Sequence, residues 1–151
     1  MKIILSIIII LLSQNVLACN KAKYTFKESL ANSDIIFSGK ITNLRYLDDI
    51  DQKKIEPRVI VTFQTNKVWK GNKTKEILIH TTHNKGSCNG FVFESGKEYL
   101  VYAVVQKRAN NFLAKLFSKK EPTVGVKLYG GTKSLSEAKN DIQKLNENQK
   151  I

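Results

Sequence analysis

The chain is short of the residues that staple or bend irregular proteins. It has two cysteines and two prolines in 151 residues. Two cysteines exclude a disulfide-dense mini-protein and a four-cysteine zinc fold. Two prolines and eight glycines exclude collagen-like and low-complexity chains. Acidic residues are scarce, with 13 Asp+Glu against 25 Lys+Arg and a formal net charge of +12. After the first dozen residues no run approaches the ~20 apolar residues of a membrane-spanning helix. No Gly-rich phosphate loop, nucleophile elbow or His-Glu-x-x-His motif occurs. The reading is therefore a non-enzyme that needs no cofactor and no metal. What is present is a folding composition. Hydrophobic residues make up 42%, with seven Phe, five Tyr and one Trp, which excludes disorder.

The N-terminus reads as an export signal over residues 1–18. Met1-Lys2 is a positive start, Ile3 to Leu12 is an apolar run broken by Ser6, and Val16-Leu17-Ala18 ends small before Cys19. Loss of Lys2 takes the net charge from +12 to +11. Residues 19–151 then form one domain, long enough for a core of its own. Two processing outcomes stay open. Val16 and Ala18 suit a general signal peptidase, giving a secreted or periplasmic protein. Val-Leu-Ala-Cys also suits a permissive lipobox, in which Cys19 is acylated and the protein is tethered at the cell envelope. In an oxidising compartment two cysteines bridge, which would join Cys19 to Cys88. The long closed loop would add roughly 4 kcal/mol. Lipidation would instead leave Cys88 a lone thiol.

The body alternates like strands. Tyr24 to Asn32 predicts a short helix, with Thr25 and Glu28 at capping-box spacing. Asp34 to Leu44 predicts a strand with a bulge or bend at Gly39. Asp48 to Pro57 is a polar loop. Its three aspartates lack the glycine and glutamate of a calcium loop. Arg58 to Trp69 alternates, with Val59, Val61 and Phe63 on one face. Glu76 to Thr82, Glu98 to Val105 and Thr123 to Tyr129 complete five strands. Ser134 and Glu137 repeat the capping-box spacing and predict a C-terminal helix, with fraying over 146–151. The fold class expected is all-β with flanking helices: a five-stranded Greek-key barrel of the OB type with an N-terminal and a C-terminal helix.

Chemistry-bearing residues are few. His80, His83 and Cys88 are three zinc-type ligands, but the odd spacing of the histidines puts them on opposite strand faces. Gln106 to Lys120 is basic and amphipathic. Phe112, Leu113, Leu116 and Phe117 share a helical face, with Lys115, Lys119 and Lys120 elsewhere. It could lie on an anionic membrane surface or pack on the barrel as an inserted helix. The positive charge is spread over nearly every loop, which argues against nucleic acid as partner.

Several blocks in order resemble the bacterial branch of the tissue-inhibitor-of-metalloproteinases family. They are Ala18-Cys19, Phe26 to Leu30, Ser33 to Ile41, Val59 to Phe63 and Val68-Trp69-Lys70-Gly71. Ser87-Cys88-Asn89-Gly90, Phe93 to Tyr102 and Gly131 to Ala138 follow. The resemblance implies an OB-type barrel with Cys19 bridged to Cys88. It implies that the free amine and carbonyl of Cys19 chelate a protease's zinc. Asn20 would then enter the specificity pocket, with Ser87, Cys88 and Asn89 completing the ridge. The family's Cys-x-Cys start is replaced by Cys19-Asn20-Lys21, and Tyr129 stands where a further cysteine is expected. The partner implied is a zinc metalloproteinase. The lipid-anchored alternative is an envelope protein whose barrel and basic loops hold another protein or an anionic polymer.

Overall fold

A computed structural model describes residues 24–47, 58–82, 90–106, 123–126 and 130–149. In chain order the elements are α1 (Phe26–Ala31), β1 (Ile35–Leu47), β2 (Arg58–Lys70), β3 (Glu76–Thr82), β4 (Glu98–Gln106), β5 (Thr123–Val126), β6 (Lys133–Ser134) and α2 (Lys139–Asn148). The sequence alternation becomes strand because alternate side chains can be buried in a shared interior. In β3, Ile77, Ile79 and Thr81 point inward, while Leu78 remains exposed.

The strands are ordered β1-β2-β3-β5-β4, and β4 returns to pair with β1. Five strands thus close into an OB-like, all-β barrel with a helix at each end region. All pairings are antiparallel except β3 with β5, which meet in parallel at His80 opposite Gly125. β1 closes the barrel because it serves two partners. Its first half, Ile35 to Lys40, pairs with β4, and most of its length also pairs with β2. The register against β2 slips between Ser38 and Gly39, which is the bend expected at that glycine. A Cβ on Gly39 would lie 2.6 Å from the Gln64 carbonyl oxygen, so no larger residue fits so close an approach.

Two apolar layers result. The barrel interior holds Phe37, Val61, Phe63, Ile79, Phe93 and Val101 among others. Outside it, Ile36, Leu100 and Tyr102 face Ala138 and Leu145, with Phe26, Leu30 and Trp69 packed alongside. Neighbouring residues of β1 and β4 therefore face opposite layers, and both faces are buried. That is why Tyr99 to Ala103 is apolar without interruption.

The two capping-box spacings have different fates. At α1 the Thr25 N–H donates to Glu28 Oε2 at 2.7 Å, and the Thr25 hydroxyl oxygen accepts from the Glu28 N–H at 3.3 Å. At Ser134 the hydroxyl donates to Glu137 Oε2 at 2.8 Å, yet no helix starts there. Ser134 and Lys133 pair with Tyr99 and Leu100, and the Leu135 N–H donates to the Glu98 carbonyl. The backbone is claimed by β4, so α2 begins only at Lys139, with no side-chain cap. Within the span expected to fray, residues 146–149 are described and make side-chain contacts. Asn146 and Gln149 hydrogen-bond to Trp69, so the last turn is tied to β2. β1 runs three residues past the expected end at Leu44. Of the expected fifth strand, residues 127–129 lie outside the described residues.

Candidate functional site

β3 ends at Thr82, and the described chain resumes at Gly90. The two points are clamped together. The Phe91 N–H donates to Thr81 Oγ1 at 2.8 Å, and the Thr81 hydroxyl donates back to the Phe91 carbonyl at 3.0 Å. One side chain thus supplies both hydrogen bonds of a strand neighbour. Gly90 has φ +138, and a Cβ there would strike the Thr82 hydroxyl and come within 2.9 Å of Thr81 Oγ1. Phe91 and Phe93 then turn inward, with ring centroids 4.8 Å apart, and Phe93 meets Tyr99 edge-on at 5.0 Å. A cavity of about 460 Å³ adjoins the clamp, between Arg58, Thr82, Gly90, Val104 and Gln106.

A second, larger groove of about 930 Å³ crosses β3 on the outside of the barrel. Leu47 and Arg58, the ends of β1 and β2, flank one side. Val105 and Thr123, beside the ends of β4 and β5, flank the other. Leu78 stands in it, 48% exposed. His80 lies beside Leu78. The strand register sets Arg45, Ile60 and His80 in one row. Burial, and then the charges of Arg58 and Arg45, hold the imidazole below its ordinary value of 6.5. Both effects favour the neutral imidazole, which can give and take hydrogen bonds. The groove offers apolar contact and hydrogen bonding, which suits binding. Among the described residues no group of three His, Cys, Asp or Glu is placed to hold a metal.

The sequence-predicted site residues Cys19, Asn20, Ser87, Cys88 and Asn89 lie outside the described residues. So do Phe112, Leu113, Lys115, Leu116, Phe117, Lys119 and Lys120, and His83 with them. The structure describes the points from which those segments depart. Thr82 and Gly90 bound the segment carrying Cys88. Gln106 and Thr123 bound the basic segment. Sequence reasoning missed the clamp of Thr81 on Phe91. Its signal was faint: a threonine at a buried strand position, followed by a glycine just before two phenylalanines.

No family model matches the chain, and no curated protein matches it. Among the described residues no helix is long and apolar enough to cross a membrane.

Proposed function

We propose that the chain is an exported, non-catalytic binding module that occludes a zinc endopeptidase through its mature N-terminus at Cys19. In this reading the neutral amine and the carbonyl oxygen of Cys19 chelate the protease's zinc. A catalytic zinc keeps an open position that can receive them. Asn20 enters the adjoining pocket. The 87–89 segment supplies the rest of the contact, with Cys88 bridged to Cys19. The observation that carries the reading is the two-way clamp of Thr81 on Phe91 beside Gly90, because it fixes both ends of the segment holding Cys88. A binding segment with fixed ends loses less entropy when it docks. The OB-like barrel and the sequence resemblance to tissue inhibitors of metalloproteinases support it further.

The test begins with the intact mass of the mature protein, with and without reductant. A chain starting at Cys19 that gains about two mass units on reduction has the bridge and a free amine. That form should then slow a zinc endopeptidase, and adding one residue before Cys19 should abolish the effect. A mass carrying diacylglycerol and fatty acid rules out chelation, since acylation consumes the amine. The module would then be a tethered envelope protein. Failure of the free form against every zinc endopeptidase tried would also overturn inhibition.

A further inference from the structure

We propose that the hollow beside the β2–β3 turn is a binding site for a phosphate-bearing anion, independent of Cys19 and of the clamp. The hollow measures about 400 Å³, and Lys67, Lys73 and Lys75 line it together with Thr65, Thr74 and Gln149. Among the described residues no carboxylate lines it. Asn66, which also lines the hollow, donates from its side-chain amide to Glu98 Oε1 at 2.9 Å. Lysine side chains that line one hollow can turn their ammonium groups toward an anion held in it. A group with two negative charges matches them better than a lone carboxylate does.

The lysines are not on a loose tip. The Thr65 N–H donates to the Lys75 carbonyl at 3.0 Å, and the Thr65 hydroxyl donates to the Thr74 carbonyl. The backbone bearing Lys73 and Lys75 is thereby fastened across β2. Lys67 is oriented by Asn146 Oδ1 at 2.7 Å and by the Trp69 ring, 5.3 Å from its Nζ. That uses one of its three N–H donors and leaves two. Gln149 closes the hollow from the end of α2, its amide donating to the Trp69 carbonyl at 3.3 Å. Lys73 and Lys75 are exposed, and among the described residues no side-chain hydrogen bond or ion pair engages them. A compact ammonium is a regular point-charge partner for phosphate. Two sources share this chemistry: a soluble phosphate and a phospholipid headgroup.

The experiment compares Lys73→Gln/Lys75→Gln with Lys27→Gln/Lys139→Gln, which removes the same charge from the two helices. All four positions are exposed, so both variants should fold. The probes are tripolyphosphate in titration calorimetry, and flotation with phosphatidylcholine vesicles with or without phosphatidylglycerol. The native protein should bind at least one probe. The turn variant should lose about tenfold or more of that affinity, and the helix variant less than about twofold, because distant surface charges are screened. Binding to tripolyphosphate assigns a soluble phosphate. Binding to the anionic vesicles alone assigns a membrane surface. The proposal fails if the native protein binds neither probe. It also fails if the two variants weaken binding equally, since attraction would then follow net charge.

Discussion

The barrel interior and the layer outside it are both apolar, yet they are held in different ways. Inside, Phe63 meets Phe37, Phe93 and Tyr99 edge-on at 5.3, 5.2 and 6.4 Å between ring centroids. The closed wall keeps water out, so ring packing suffices to fix positions. Outside, two short helices lie on β1 and β4, and the border of that layer is wet. There, oriented polar contacts set the register. The Tyr102 hydroxyl donates to Asp141 Oδ2 at 3.2 Å, and Lys133 reaches the same oxygen at 2.8 Å. Trp69 Nε1 donates to Asn146 Oδ1 at 2.9 Å. A face sealed by its own strands can rely on shape. A face covered by a separate helix needs directional bonds to hold that helix in place.

The strongest way to break this contrast is Phe63→Ala. It removes three ring contacts from a residue with no exposure, at a cost of about 3–5 kcal/mol. Urea unfolding should keep one transition and shift its midpoint sharply downward. A loss under about 1 kcal/mol would mean that the rings do not dominate the interior. Next comes Leu145→Ala, which should cost about 2–3 kcal/mol. Its effect should be local, with amide exchange quickening in α2 while β2 and β3 stay protected. Equal quickening in both would show one cooperative unit and erase the distinction.

The smallest effect concerns Tyr102. Burial first, then the charge of Asp141 and the hydrogen bond to it, raise the phenol well above its ordinary value of 10.0. Folding therefore favours the protonated phenol. That stability is present below pH about 10 and is lost as the pH rises toward the folded value. Tyr102→Phe should be about 1 kcal/mol less stable than the native protein at pH 8. The gap should narrow as the pH passes 10. No gap at pH 8 would show that the hydroxyl plays no part in fastening α2, and a gap that stays constant above pH 10 would show that folding does not favour the protonated phenol.

Strand content was legible because burial on one face writes a two-residue period. Val59, Val61 and Phe63 carry it in β2, and the bounds of β3 were read without error. The bend at Gly39 was legible because a glycine inside a strand has few other uses. The start of α2 was not. Ser134 and Glu137 do pair, as Thr25 and Glu28 do, but a local signal cannot show that β4 will claim the same backbone. The contacts of the final turn were hidden for a related reason. Asn146 and Gln149 look like a polar tail until Trp69, some 80 positions earlier, offers them partners. The row of Arg45, Ile60 and His80 was equally hidden, because strand register exists only after pairing. The candidate site drawn from the sequence rests on Cys19, Cys88 and their neighbours. The structure contributes the frame from which that segment departs.

The double service of β1 also sets an order of events. Ile35 faces Ala103, far along the chain, whereas the second half of β1 faces its immediate successor β2. Sequential pairing of β1, β2 and β3 can run ahead, since each loop to be closed is short. The first half of β1 must wait for β4. So must the helices, because Leu100 and Tyr102 of β4 form the floor on which they rest. Long-range closure of this kind is paid in chain entropy before any contact rewards it, which slows folding. The first strand of the chain is thus also the one that seals the barrel, through pairs from Lys40 with Glu98 to Ile35 with Ala103.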